Sequence, residues 1–70
     1  LIIGKNNKIK EHVLISLGTS FSEKETVIGD DNYIMAYSHI GHDCVVGNGN
    51  ILANATNIGG HVHIGDKNVF

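Results

Sequence analysis

The sequence predicts an all-β fold, a parallel β-helix built of triangular coils of about 18 residues. Three observations predict it. Large apolar residues recur every six positions, at Ile28, Ile34, Ile40, Val46, Leu52, Ile58, Ile64 and Phe70. The next position is often glycine, as at Gly4, Gly29, Gly41, Gly47, Gly59 and Gly65. Four positions after the apolar residue the side chain is mostly small, polar or β-branched, as at Asn32, Ser38, Cys44, Thr56 and Val62. A period of six wanders around a helix, which repeats at 3.6. A continuous strand would need further apolar residues at alternate positions, where this chain often has Asn, Ser or Asp. A short strand followed by a bend, repeated, fits both facts.

Taken in order, Ile3, Ile9 and Ile15 mark the first apolar positions, and the same register continues to Phe21. One extra residue then shifts the frame before Ile28. An outward excursion is therefore expected near residues 18–25, within SLGTSFSEKETV. Its plainest role is a solvated bulge; its sharper one is to pack on a neighbouring subunit or cover a substrate. Beyond it, Ile28, Val46 and Ile64 stack on one side, Ile34, Leu52 and Phe70 on the second, Ile40 and Ile58 on the third. Adjacent coils lie about 4.8 Å apart, the ordinary inter-strand distance. Residues 1–70 make about four such coils in one β-helix domain. Asparagine and glycine tolerate left-handed backbone better than other residues, so the corners between sides are expected to use them. The chain opens on Leu1 and stops on Phe70 in mid-pattern, and neither end resembles a capping repeat, so it reads as a piece of a longer protein.

Composition narrows the function. The formal net charge of −2 argues against nucleic acid or an anionic membrane surface as partner. No apolar run approaches the roughly 20 residues of a membrane span, and no signal-like start is present. A single cysteine, Cys44, forms no internal disulfide, which fits a cytoplasmic location. Cys44 occupies a small-residue position of the repeat and is expected to pack.

The stretch HIGHDCVVGNGNI, residues 39–51, carries the chemistry. With an 18-residue coil, His42 stacks beneath Gly60 and Asp43 beneath His61, so HIGHD and GGHV are vertical neighbours. The inward positions are taken by Ile40, Val46, Ile58 and Ile64. His39, His42 and His61 therefore face solvent or a partner. A histidine near pH 7 is largely neutral and accepts a proton from a hydroxyl nucleophile. A neighbouring carboxylate fixes its tautomer and stabilises the imidazolium, although Asp43 alone also suits a bend cap. Gly60 is a second glycine that the repeat does not require. His12 and His63 lack such company and are read as surface residues.

The runs MAYSHIGHDCVVGN, LAN and GGHVHIGD resemble the acyl-[acyl-carrier-protein]–UDP-N-acetylglucosamine O-acyltransferases, and the likeness extends over essentially the whole chain. Where family members often have His, this chain has Ser16. The resemblance implies a left-handed β-helix, a homotrimer with active sites between subunits, and transfer of a 3-hydroxyacyl chain from acyl carrier protein to the 3-hydroxyl of UDP-N-acetylglucosamine, the first step of lipid A biosynthesis. It implies His42 as general base, Asp43 as its acidic partner, Gly60 as the backbone oxyanion donor, and His39 and His61 as substrate-binding residues. No cofactor and no metal are implied.

Three other functions compete. An N-acyltransferase acting on an amino-sugar nucleotide shares the repeat. A zinc enzyme like the gamma-class carbonic anhydrases would use His39, His42 and His61 as ligands, since neutral imidazoles hold zinc well. A non-catalytic scaffold predicts no convergence of polar residues across coils, contrary to the alignment of HIGHD with GGHV.

Overall fold

The computed structural model describes residues 1–18 and 25–70. Among them run ten two-residue strands: β1 (Ile2–Ile3), β2 (Lys8–Ile9), β3 (Leu14–Ile15), β4 (Val27–Ile28), β5 (Tyr33–Ile34), β6 (His39–Ile40), β7 (Val45–Val46), β8 (Ile51–Leu52), β9 (Asn57–Ile58) and β10 (His63–Ile64). They stack into three parallel sheets, β1-β4-β7-β10, β2-β5-β8 and β3-β6-β9. Each sheet is one side of a left-handed parallel β-helix. The bends are too short for the right-handed crossover preference of longer connections to apply.

The register is the one the period demands. Val27 pairs with Val45 and Val45 with His63; Ile34 pairs with Leu52, and Ile40 with Ile58. A parallel bridge joins Ile51 to Val69, which puts Phe70 in line with Leu52. In every strand after the first coil the second residue points inward. Ile28, Ile34, Ile40, Val46 and Leu52 are each at most 1% exposed, and Cys44 packs among them. Burying a side chain of this size contributes roughly 1.5–3 kcal/mol. At the chain's two ends the stack covers such residues on one side only, and Ile3 and Ile9 remain 42% and 40% exposed.

The first coil differs from the sequence reading. Ile3 pairs with Ile28 and Ile9 with Ile34, a separation of 25 residues where later coils have 18. This segment therefore adds seven residues to the coil, not one. Phe21 itself, and most of the proposed excursion, lie outside the described residues.

The corners also depart from expectation. Among the described residues the left-handed positions recur every six from Asp31: Asp31, Tyr37, Asp43, Gly49, Ala55, His61 and Lys67, with Asn6 and His12 in the first coil. Only one is asparagine and one glycine. Coil closure dictates the dihedral, and a hydrogen bond supports it: the amide of His61 donates to the carbonyl of His42, as that of Lys67 does to Asn48, both at 2.9 Å. The asparagines do something else. At the corner following the first side, Asn7, Asn32, Asn50 and Asn68 stack in a ladder. Asn32 accepts from the amide of Asn50 at 2.8 Å and donates to the carbonyl of Gly47 at 2.9 Å. Asn50 repeats both bonds one coil on, with Asn68 and Gly65. Asn32 and Asn50 are buried, so these side chains satisfy backbone groups that a tight corner would otherwise orphan.

Candidate active site

The corner between β6 and β7 reads Gly41-His42-Asp43-Cys44, and the corner above it Gly59-Gly60-His61-Val62. The two lie close. A Cβ on Gly41 would come within 2.7 Å of the Gly60 nitrogen, so a side chain there has no room. Cys44 is buried, and its thiol donates to the Gly59 carbonyl at 2.9 Å.

Asp43 holds a left-handed backbone with φ of 58°. At other corners the amide in this position donates to a carbonyl of the coil below. At this corner the amide of Asp43 donates to Thr26 Oγ1 at 2.9 Å. Thr26 is buried, and its hydroxyl donates in turn to the carbonyl of Ser16 at 2.7 Å. Thr26 thus ties the Asp43 backbone to Ser16 and helps fix the direction in which Asp43 points.

That direction is inward, under the two imidazoles. The Asp43 carboxylate is fully shielded from solvent, while the His42 and His61 side chains are about half exposed. His42 Nδ1 lies 3.0 Å from Asp43 Oδ2, and His61 Nε2 lies 3.8 Å from the same oxygen. The two rings meet edge to face with centroids 4.9 Å apart. A carboxylate only accepts, so the proton of His42 sits on Nδ1 and Nε2 keeps its lone pair. Nε2 lies directly over Gly60: a Cβ there would meet it at 2.6 Å. This explains the second glycine of GGHV. Any larger residue would occupy the space of the imidazole.

His39 belongs to a neighbouring relay. Its Nδ1 faces Asn57 Oδ1 at 2.9 Å and its Nε2 faces Ser16 Oγ at 3.1 Å. The amide oxygen accepts, so Nδ1 carries the proton and Nε2 accepts from the Ser16 hydroxyl. The zinc arrangement of His39, His42 and His61 is accordingly not what the fold assembles: the group whose ligand atoms fall within 4.8 Å of one another is His42, Asp43 and His61. Asn57 was accessible to the 18-residue arithmetic from His39. Ser16 was not, because the excursion breaks that arithmetic; Thr26 lies within the period, 18 residues before Cys44, but nothing in the repeat marks its hydroxyl as acceptor for the Asp43 amide. His12 stacks on Tyr37 with centroids 5.0 Å apart, and His63 is exposed on the outer face of β10. A hollow of about 460 Å³ on the β2-β5-β8 face includes Lys8, Asp31 and Tyr33 but none of the site residues.

An outward-facing imidazole oriented by a buried carboxylate, on a left-handed β-helix, defines a class: the chain belongs to the bacterial transferase hexapeptide (six repeats) family, whose model matches residues 25–60. More particularly, it is 56% identical over 66 residues to the acyl-[acyl-carrier-protein]–UDP-N-acetylglucosamine O-acyltransferase of Pseudomonas putida strain F1, covering 94% of this chain and 26% of that protein. The enzymes of the same name from Stutzerimonas stutzeri A1501 and Pseudomonas entomophila L48 are 56% and 54% identical, with the same coverage. The chain spans about a quarter of the length of these curated relatives. No solved structure matches the chain. Among the described residues no helix is long and apolar enough to cross a membrane.

Proposed function

We propose that this chain is the catalytic segment of an acyltransferase that moves a 3-hydroxyacyl group from acyl carrier protein to the 3-hydroxyl of UDP-N-acetylglucosamine, the opening step of lipid A biosynthesis in the cytoplasm. The observation that carries the reading is the pairing of His42 Nδ1 with buried Asp43, which leaves Nε2 free over Gly60. The names of relatives at 54–56% identity supply the substrates.

His42 Nε2 takes the proton of the sugar hydroxyl as its oxygen attacks the thioester carbonyl. Asp43 stabilises the resulting imidazolium. The Gly60 amide donates to the oxyanion of the tetrahedral intermediate; one such donor contributes about 3–4 kcal/mol in a well-studied enzyme. The intermediate collapses, the carrier's thiolate leaves, and it recovers the proton from His42. No covalent enzyme intermediate forms. His61 lies beside the base to hold substrate, and His39 does so from the adjoining side through its Ser16 and Asn57 contacts. The working unit is a homotrimer with sites between subunits.

The test is acyl transfer by the full-length protein, with 3-hydroxyacyl carrier protein as donor and hydroxyl- and amine-bearing sugar nucleotides as acceptors. His42→Ala, folded and trimeric, is expected to lower kcat by about 10²–10⁴-fold, the usual contribution of a general base. Near-normal turnover refutes the assignment, and preference for the amine acceptor refutes the ester product.

A further inference from the structure

The base and its support are also a set of metal donors. His42, Asp43 and His61 present two imidazoles and one carboxylate with all donor atoms within 4.8 Å of one another. We propose that these three residues form an inhibitory binding site for a borderline divalent transition metal, with zinc as the ion that fits best.

The donor chemistry selects the ion. Two neutral imidazoles with one carboxylate, and a fourth position open to water, is a zinc ligand set; calcium and magnesium prefer oxygen shells. The spacing agrees. Zinc bonds of about 2.0–2.2 Å set tetrahedral ligands roughly 3.3 Å apart. The separations from Asp43 Oδ2, 3.0 Å to His42 Nδ1 and 3.8 Å to His61 Nε2, lie on either side of that value, and rotation of the half-exposed imidazoles would draw the whole set, which spans up to 4.8 Å, onto one ion. The half-exposed imidazoles give an ion access from solvent, and the carboxylate is already oriented beneath them. The Thr26 bond to the Asp43 amide and the His61 amide bond to the His42 carbonyl hold both corners before any ion arrives.

Inhibition follows from proton bookkeeping, and this part rests on His42 being the base. The ion takes the position of the proton between Nδ1 and the carboxylate. The neutral ring then carries its single proton on Nε2, over Gly60, where the lone pair for the sugar hydroxyl had been. Metal occupancy and base catalysis are mutually exclusive at one imidazole.

The experiment uses the full-length protein, stripped with chelator, and ZnCl₂ as probe. Calorimetry is expected to show saturable binding of one zinc per chain, with Kd raised at least about tenfold in His61→Ala and unchanged in His12→Ala. Absence of saturable binding, or equal effects of the two substitutions, overturns the site. Co²⁺ gives a reading on the unaltered protein: intense visible bands of a four-coordinate ion are expected, and the weak bands of an octahedral ion overturn it. Zinc should abolish acyl transfer and chelator restore it. Turnover unchanged or raised at saturating zinc overturns the inhibition. Saturable zinc binding by a protein without acyl-transfer activity overturns the acyltransferase reading and leaves the metal site standing.

Discussion

Gly60→Ala isolates the geometry of the proposed base, His42, from every other role of its corner. The added methyl would sit 2.6, 2.7 and 3.1 Å from three atoms of the His42 ring. Relaxed carbon contacts are about 3.5–4.0 Å, so the ring must retreat by about 1 Å. Retreat is possible, because the ring is half exposed and moves by side-chain rotation, without displacing the backbone. The hydrogen bond to Asp43, 3.0 Å long, does not survive such a shift. A misplacement of about 1 Å costs about 10²-fold in rate, or about 2.7 kcal/mol of barrier. The Gly60 amide remains, so the proposed oxyanion donor is not removed by the substitution. The expected outcome is a kcat lowered about 10²-fold with KM nearly unchanged, and an unfolding free energy altered by less than about 1 kcal/mol. Steady-state kinetics on the full-length protein and urea denaturation give these quantities. A variant with the original kcat, or one that no longer folds, refutes the reasoning.

Thr26→Val keeps the shape of the side chain but removes the hydroxyl that bonds both the Asp43 amide and the Ser16 carbonyl; a loss of about 1–3 kcal/mol by urea denaturation is expected, together with a fall in kcat. Thr26→Ser should restore both quantities, and a serine variant as impaired as valine would contradict the role of the hydroxyl. Asn32→Leu breaks the ladder at its buried centre, orphaning the Asn50 amide and the Gly47 carbonyl; denaturation should show a loss of about 2–4 kcal/mol, and a neutral result would mean the ladder is dispensable. Leu52→Ala opens a cavity at a fully buried position between Ile34 and Phe70, and a loss of about 2–5 kcal/mol is expected in the same measurement.

Much of this architecture is visible in the chain because a solenoid converts sequence distance directly into vertical distance. Ile28, Val46 and Ile64 at intervals of 18 predict one sheet, and the sheet β4-β7-β10 follows that register. The same interval predicts His42 beside Gly60, and the imidazole does lie over that glycine. Other features depend on closure in three dimensions. Tyr37, Ala55 and Lys67 are poor sequence signals for a left-handed backbone, yet the corners impose it on them. The asparagines mislead for the complementary reason: Asn32 and Asn50 are present for their amide groups, which bond across coils. The contact of His39 with Ser16 crosses the excursion, where the interval of 18 fails.

Ser16 and Thr26 flank the seven extra residues of the first coil, and Thr26 lies one coil below the corner that carries His42 and Asp43. The stem of this segment is closed by Thr26 and by the Ser16 amide on the carbonyl of Ile40. Segment length at this point is therefore decoupled from helical pitch. A shorter or longer segment between Ser16 and Thr26 would leave the register of all three walls unchanged, since Ile3 stays level with Ile28 and Ile15 with Ile40.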